Sequence, residues 1–286
     1  MDVLESYGET PIYCATSFGN YSVVRELLNL DKSDVNKKRI CGRAPLHVAS
    51  RRGDLKVLRE LLKSKKLDVN NTNADDDTAL SVASLSNRVD IVRELINHKN
   101  IDVNNANGLG ETAMFYACDD KNHFDIVREL LKHPNIHVNE PVRYLGRPLF
   151  YAVKRNHLES VRQLFKHPNI GVNTQERFGE TPLYVASKSD NWDFVRELIR
   201  HKNVDLNVRG RFGYTVLMWA TLKGELEVVS TLLKHDILDT NLKNIAGSTA
   251  ALDIAHNCGH VALAKLLQDT ERIHHEIDTM HPLQRG

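Results

Sequence analysis

Histidine is the residue whose spacing first suggests chemistry in this chain of 286 residues. It recurs at intervals of 34 or 35 residues, at His98, His133, His167, His201 and His235. A zinc site needs all its ligands within about 2.0–2.3 Å of one ion, whereas neighbouring helices pack about 8–10 Å apart. We therefore predict that these histidines are polar residues at helix ends, where the helix dipole favours them. We expect no metal and no cofactor.

Other reactive side chains do not converge in the sequence either. The cysteines Cys14, Cys41, Cys118 and Cys258 are scattered, with no pair at metal-binding or redox spacing. The glycines follow the repeat period and form no phosphate-binding loop, and no Ser/His/Asp or Cys/His set clusters outside the repeat pattern. The sequence therefore predicts a protein without enzymatic activity.

A repeating unit organises the positions of all these residues. Equivalent alanines differ by 34 or 35 positions, and an asparagine closes each unit 21 or 22 residues after its alanine. A fixed period in this range is typical of stacked-repeat proteins. The alanines are Ala15, Ala49, Ala83, Ala117, Ala152, Ala186, Ala220 and Ala255, and the closing asparagines are Asn36, Asn70, Asn104, Asn139, Asn173, Asn207 and Asn241.

Each unit reads as two short helices. A Thr-Pro pair such as Thr181-Pro182 fits a helix start, where the hydroxyl caps free N–H groups and proline loses no hydrogen bond. A turn with glycine or asparagine precedes a second helix with apolar residues at i, i+3 and i+4. Asn100 and Asn203 and their equivalents are expected to end that helix in a left-handed conformation. Since neither helix is stable alone, each unit must bury its apolar face on its neighbours.

These residues resemble the ankyrin repeat. The match lies in the segments GETPIYCA, GRAPLHVA and GETPLYVA of repeats 1, 2 and 6, followed by the V-x-E-L pattern and the exit D-V-N. The resemblance covers residues from about 6 to 268 as eight copies. It implies a solenoid with a short β-hairpin finger before each helix pair, and a concave groove lined by the fingers and the first helices.

The predicted organisation is an all-α repeat domain over residues 1–268 and a helical cap or tail over 269–286. Repeat 4 has one extra residue, expected in the turn Cys118–Asn122, and repeat 5 has Arg147 in the threonine position, so its helix cap should be missing. Repeat 8 lacks the proline and also has an extra residue. The eight repeats are about 6–36, 37–70, 71–104, 105–139, 140–173, 174–207, 208–241 and 242–268.

Side chains that the framework does not use are the candidates for binding a partner. Acidic residues concentrate in repeats 3 and 4, whereas basic and aromatic residues concentrate in repeats 5 to 7. Aromatic residues and arginine dominate interface hot spots, and arginine pairs with carboxylates in bidentate geometry. The alternative is that the charges only solvate a surface and the aromatic residues pack locally. The candidate binding residues are Arg143, Tyr144, Arg177, Phe178, Lys188, Arg211, Phe212, Tyr214 and Trp219.

Two tryptophans and the closing asparagines have structural interpretations. Trp192 is expected in the core, while Trp219 either faces the groove or fills the contact between repeats 6 and 7. The closing asparagines should brace adjacent loops. The resemblance also implies that asparagines with a leucine eight positions before them, such as Asn36 and Asn139, are candidates for β-hydroxylation.

The sequence thus predicts a protein-interaction module that binds a protein or peptide, with acidic segments in the partner. The alternative is nucleic-acid or nucleotide-phosphate binding by the basic, aromatic surface of repeats 5–7, where bases would stack. The formal net charge is +1, and neither a secretory signal nor an apolar run of membrane length is visible. We expect a cytoplasmic monomer, with the nucleus as the alternative location, and neither a nucleic-acid partner nor a membrane.

Overall fold

A computed structural model describes residues 9–30, 33–245, 247 and 250–280, apart from the side chains of residues 177, 271 and 273–280. The chain forms two compact units, Met1–Ile170 and Gly171–Gly286. Short helix pairs joined by tight turns build each unit, which confirms the predicted all-α repeat architecture. The division of the chain into eight repeats and a tail at residue 268 stays a prediction.

The first unit contains ten helices in its described residues. They are α1 (Pro11–Ser17), α2 (Tyr21–Asn29), α3 (Pro45–Arg52), α4 (Leu55–Leu62), α5 (Ala79–Leu85), α6 (Val89–Ile96), α7 (Ala113–Asp119), α8 (Phe124–Leu130), α9 (Pro148–Lys154) and α10 (Leu158–Leu164). First helices pack on first helices, as α5 does on α3 and α7, and second helices pack on second helices, as α6 does on α8.

The second unit repeats this arrangement in its described part. Its helices are α11 (Pro182–Lys188), α12 (Trp192–Ile199), α13 (Val216–Lys223), α14 (Leu226–Leu232), α15 (Ala251–Asn257) and α16 (Val261–Met280). Two single 3₁₀ turns, Arg177–Gly179 and Arg211–Gly213, precede α11 and α13. The last helix continues into the segment expected to form the cap. No helix in the described part of the chain combines the length and the apolar character needed to cross a bilayer.

Threonine caps start the first helices, as the sequence predicts. The hydroxyl of Thr181 accepts a hydrogen bond from the Tyr184 N–H at 3.2 Å, and Thr215 caps α13 in the same way. Arg147 makes no side-chain cap at α9, which confirms the expected loss. Repeat 8 also lacks a threonine cap, and there the carboxylate of Asp253 accepts from the N–H of Ala250 at 2.9 Å.

Left-handed residues make the turn between the helices of a pair. Gly53 and Gly224 have φ of 78° and 76°, and Asn87 and Asn156 have φ of 54° and 66°. Glycine, and to a lesser extent asparagine, tolerates this conformation. The extra residue of repeat 4 lies in the predicted place, between the end of α7 at Asp119 and the start of α8.

The core consists of the facing apolar sides of the stacked helices. In α4, Val57, Leu58 and Leu61 are fully buried. Each such side chain contributes about 1.5–3 kcal/mol to the free energy of unfolding. The expectation for Trp192 was wrong, since it is only half-buried at the first position of α12. The equivalent residue of α4, Leu55, is half-buried as well, so this position lies at the edge of the stack.

An ion pair around a buried carboxylate joins the second helices of repeats 3 and 4. Arg93 donates to both carboxylate oxygens of Glu129, at 3.3 and 3.2 Å, and Lys132 donates at 2.7 Å. The Glu129 side chain is only 3% exposed. Its burial opposes ionisation, but the hydrogen bonds from Arg93 and Lys132 lower its pKa below the usual value.

The closing asparagines form a ladder of loop contacts, which confirms their predicted bracing role. The Asn70 amide donates to the carbonyl of Asn100 at 2.8 Å, and its oxygen accepts from the N–H of Asp102 at 2.8 Å. The same pair of bonds recurs at Asn36 and Asn104 in the first unit. The β-hydroxylation of these residues stays a prediction.

The expected left-handed caps at Asn100, Asn135, Asn169 and Asn203 were wrong. None of them has a positive φ, and α6 already ends at Ile96. The loop is closed instead by the recurring histidines. The Nδ1 atoms of His98, His133, His167 and His201 each accept from the N–H two residues later, at 3.3 Å.

A buried histidine in repeat 2, which has Ala44 in the threonine position, links the start of α3 to the next finger. The His47 Nδ1 accepts from the N–H of Ala44 at 3.1 Å, so its Nε2 carries the proton and donates to the carbonyl of Asp77, also at 3.1 Å. Burial lowers the pKa of His47 from 6.5 to about 4. The ring is therefore neutral in the folded protein near pH 7.

Candidate functional site

The fingers before the first helices are tight turns whose tips point side chains outward. In the repeat 7 finger, residues 210–214, the N–H of Gly210 donates to the Tyr214 carbonyl at 3.1 Å, and that of Gly213 donates to the Gly210 carbonyl at 3.0 Å. The repeat 6 finger has the same pair of bonds. In the described part of the chain, only isolated antiparallel bridges, at Thr72–Thr78 and Val142–Gly146, represent the β-hairpins that the resemblance implied.

Aromatic residues occupy left-handed positions at three of these tips. Tyr144, Phe178 and Phe212 have φ of 66°, 69° and 68°. A bulky side chain with positive φ is an outlier, and such strain is concentrated at functional sites. In repeat 7 the next finger packs directly against Gly213. A Cβ at this position would lie 2.6 Å from the N atom of Ile245, so only glycine allows the contact.

Arg211 stacks between two of these aromatic rings in the second unit. Its guanidinium carbon lies 5.2 Å from the ring centroid of Phe178 and 5.1 Å from that of Phe212. Phe178 is 58% exposed, Phe212 is 62% exposed and Arg211 is exposed. We call these three residues the tip stack. It forms a cationic centre flanked by two apolar surfaces, and no described carboxylate pairs with Arg211.

A layer of aromatic residues on the first helices supports the tip stack. The Tyr184 hydroxyl donates to the carbonyl of Arg211 at 2.9 Å. The ring of Trp219 lies 5.1 Å from Tyr214 and 6.5 Å from Tyr184. Gly210 makes room for Tyr184, since a Cβ there would lie 2.3 Å from the tyrosine ring. Burial raises the pKa of Tyr184, so its hydroxyl stays a donor at neutral pH.

Trp219, within this layer, and Lys188, beside it, have different environments. Trp219 is half-buried, and its indole Nε1 is buried without a hydrogen-bond partner among the described residues. Lys188 lies 5.9 Å above the Tyr184 ring and pairs with Glu180 at 3.1 Å. The structure therefore brings together Phe178, Lys188, Arg211, Phe212, Tyr214 and Trp219 in the second unit. The side chain of Arg177 lies outside the described residues.

Arg143 and Tyr144 belong to the first unit, at the repeat 5 finger. The N–H of Arg143 donates to the carbonyl of Leu109 in the preceding finger at 3.0 Å. The Tyr144 ring is 91% exposed. Both residues thus lie on the surface of their own unit, at a tip equivalent to those of the tip stack.

The acidic residues expected on the groove of repeats 3 and 4 are partly internal. Asp77 is buried, and the Tyr116 hydroxyl lies 3.0 Å from its carboxylate and 2.9 Å from that of Glu111. The Asn107 amide contacts the same two carboxylates, at 3.1 and 2.9 Å. Burial raises the pKa of Asp77. This cluster ties two neighbouring fingers together, so Asp77 does not contribute to an acidic surface.

Sequence reasoning missed several exposed apolar tips. Ile40, Leu109 and Ile245 are all largely solvent-exposed, in the fingers of repeats 2, 4 and 8. The signal was available, because each lies eight to ten residues before its repeat alanine, as Phe178 and Phe212 do. Ile245 belongs to the second unit, and its N–H donates to the carbonyl of Phe212 at 3.0 Å.

No group of three or more His, Cys, Asp or Glu side chains that could hold a metal ion occurs among the described residues. The recurring histidines use Nδ1 to accept from backbone N–H groups, so that atom is already engaged in each loop. Burial also raises the pKa of the Cys118 thiol, which makes it a poor nucleophile. The chemistry that remains for the exposed fingers is stacking, apolar contact and pairing with carboxylates.

Comparison with known proteins agrees with this architecture. The family model for ankyrin repeats matches residues 1–73, 46–142, 149–244 and 198–280. The solved structure of the ankyrin repeat domain of Bcl-3, described as a unique member of the IkappaB protein family, superposes with a TM-score of 0.70 at 25% sequence identity. The alignment covers 79% of this chain and 99% of that domain. A search of curated protein sequences returned no match.

Proposed function

The chain belongs to the ankyrin-repeat family, and on that premise we propose that it binds a protein or peptide through its fingers and first helices. Ankyrin repeats are generally protein-interaction modules, and repeat solenoids offer extended binding surfaces. The observation that carries the proposal is the tip stack, in which Arg211 lies between the exposed rings of Phe178 and Phe212. Arginine and aromatic residues of this kind dominate interface hot spots.

The candidate site is the tip stack with its supporting layer. Phe178 and Phe212 supply apolar contact, while Arg211 offers paired donors to a carboxylate. Tyr214 and Trp219 form the adjoining wall, and Lys188, paired with Glu180, lies beside it. Arg177 stays a candidate from the sequence alone. Arg143 and Tyr144 would provide a second contact from the first unit. The partner is expected to carry acidic residues.

Ion pairs argue against the nucleic-acid alternative. Lys188 pairs with Glu180 at 3.1 Å, and Lys223 pairs with Asp190 at 2.8 Å. In the first unit Arg155 lies 3.9 Å from Asp119. These carboxylates reduce the positive potential that phosphate binding depends on. We therefore retain protein recognition, with no catalytic step, as the function, and the cytoplasm, with the nucleus as the alternative, as the expected location of a monomer.

A pull-down from extract, with and without nuclease treatment, tests the proposal. The full chain is compared with Arg211→Glu, and with Arg200→Glu as a control that makes the same charge change at an exposed site just after α12. We expect at least one protein to be recovered about tenfold less by Arg211→Glu and equally by Arg200→Glu. Equal recovery by all three proteins refutes the proposed site, and loss of binding on nuclease treatment alone favours nucleic acid.

A further inference from the structure

A cavity in the first unit lies between the second helices of repeats 1 and 2, and we call it the α2–α4 cavity. Its volume is about 390 Å³, within the range of about 300–1,000 Å³ that is typical of ligand pockets. Side chains of α2 form one wall, and the last turn of α4 with the loop after it forms the other. The charged and hydroxyl side chains that line it are Arg25, Glu60, Lys63, Ser64, Lys65 and Lys66.

Positive charge dominates the wall of the α2–α4 cavity. Four of these side chains are cationic, and Glu60 is the only carboxylate among the described residues that line it. Glu60 pairs with Lys63, whose Nζ lies 2.9 Å from its Oε1. The lining residues therefore carry an excess of positive charge within a small volume.

Acidic residues close in the sequence do not cancel this excess. Glu26 is exposed on α2 and does not line the cavity. Asp34 and Asp68 do not line it either, and each carboxylate accepts a backbone N–H of its own loop at 3.0 Å. Asp31 and Lys32 lie outside the described residues, and their opposite charges leave the balance unchanged.

Hydrogen bonds and a ring contact position the cationic residues. The Lys66 carbonyl accepts from the Asn36 amide at 2.7 Å, and the Lys66 N–H donates to the Ser64 hydroxyl at 3.4 Å. The guanidinium carbon of Arg25 lies 5.5 Å from the ring centroid of Tyr21, within the range of a cation–π contact. A ligand would thus meet groups that are already in place, which lowers the cost of ordering them.

An equivalent cavity between α6 and α8 is larger but less charged. Its volume is about 560 Å³, and three lysine and arginine residues line it instead of four. Two of them, Arg93 and Lys132, donate to Glu129, whose side chain is 3% exposed. The positions of Lys65 and Lys66 are taken there by a proline and an asparagine. The excess charge is therefore a property of the α2–α4 cavity and not of every repeat junction.

We propose that the α2–α4 cavity binds a compact polyphosphate, either a soluble molecule with several phosphate groups or a lipid headgroup of the same chemistry. Lysine binds phosphate as a point charge, and Arg25 offers paired donors to its oxygens. Each phosphate monoester carries a charge of about −1.5 to −2 near pH 7, so clustered phosphates match several cations where one peptide carboxylate would match only one. The proposal concerns residues of the first unit and does not depend on the proposed function.

Calorimetric titration of the full chain with inositol hexakisphosphate, tripolyphosphate and inorganic phosphate tests this proposal. We expect one polyphosphate per chain, and inorganic phosphate to bind at least about tenfold more weakly, because it meets fewer cations. Arg25→Gln/Lys65→Gln should weaken polyphosphate binding at least about tenfold, whereas Lys65→Arg, which keeps the charge, should retain it.

Arg51→Gln/Arg52→Gln is the matched control, since it removes the same charge from exposed side chains at the end of α3, outside the cavity. We expect its affinity to stay within about twofold of the natural chain, because distant exposed charges are screened by salt. Equal weakening by the two double variants, or equal affinity for inorganic phosphate, would show general attraction to anions and overturn the proposal.

Hydrogen exchange locates the bound ligand, and vesicles identify its source. We expect protection at residues 25–29 and 60–66, and protection at 96–101 and 129–135 instead would overturn the assignment. Sedimentation with phosphatidylcholine vesicles, with and without phosphatidylinositol bisphosphate, adds the lipid arm. Vesicle binding that Arg25→Gln/Lys65→Gln abolishes identifies a lipid headgroup, and binding of the free polyphosphates alone identifies a soluble ligand. Binding of neither refutes the proposal.

Discussion

Replacing Tyr144 by asparagine is expected to stabilise the protein, although Tyr144 is a candidate binding residue. Its backbone has a φ of 66°, in the left-handed region. For a non-glycine residue this conformation costs about 1–2 kcal/mol, whereas asparagine adopts it more readily. The natural tyrosine is therefore retained at the expense of stability.

The structure allows the opposing contribution to be estimated. The Tyr144 side chain is 91% exposed, so it buries roughly a tenth of the 150–250 Å² that a fully buried aromatic side chain covers. At about 25 cal/mol per Å², its loss costs about 0.5 kcal/mol. The relief of strain exceeds this loss, and we expect Tyr144→Asn to raise the free energy of unfolding by about 0.5–1.5 kcal/mol.

Urea unfolding followed by circular dichroism measures this change, and two variants in the same unit serve as controls. Asp76 lies in the repeat 3 finger, one position after the equivalent of Tyr144, and it also has a positive φ, 61°, so Asp76→Tyr should destabilise the protein by a similar amount. Leu109 has no positive φ, so Leu109→Asn should give no gain. The reasoning is refuted if Tyr144→Asn lowers the urea midpoint or if Asp76→Tyr leaves it unchanged.

Other predictions concern the loops, the second helices and the pH dependence of stability. Burial lowers the pKa of His47 from 6.5 to about 4, so its stabilising contribution is present above pH 6.5 and is lost as the pH falls through 4. The loss amounts to about 3 kcal/mol, and His47→Gln should therefore show a flatter dependence of the urea midpoint between pH 7 and pH 4. Asn70→Ala removes two hydrogen bonds to the next loop and should cost about 1–2 kcal/mol in urea unfolding. Asn97→Ala, which removes one bond within its own helix end, should cost less. Glu129→Ala should cost about 1.5–3 kcal/mol because this buried carboxylate loses its hydrogen bonds to two charged donors. By thermal unfolding, Glu94→Ala, at a carboxylate that is 32% exposed, should cost under about 1 kcal/mol, and equal losses at both glutamates would contradict this ranking.

The periodic features of the fold could be predicted because they depend on residues close in sequence. The hydroxyl of Thr181 caps α11 by accepting from the N–H three residues later. The alanine period follows directly from the spacing of identical repeats. The bracing by Asn70 was also predictable, since the same residue recurs in the same place in each unit. These interactions join residues within one repeat or in adjacent repeats, so the repeating pattern of a single sequence is enough to predict them.

The remaining features depend on three-dimensional geometry that no sequence period reveals. Arg211 meets the Phe178 ring across 33 positions in the sequence, and only the stacking of two fingers shows that contact. Asn100 was assigned a left-handed cap because asparagine favours that conformation, but the loop instead uses its carbonyl to accept from Asn70. The preference of asparagine for a left-handed conformation was overridden there by a specific hydrogen bond from the preceding repeat.

The asparagine ladder braces each repeat of the first unit against the repeat that follows it. Within the first unit every such bond runs from one loop to the loop of the following repeat, as from Asn36 to Lys66 and from Asn70 to Asn100. Losing one asparagine therefore unlinks only two adjacent loops, while the other bonds of the ladder in this unit remain.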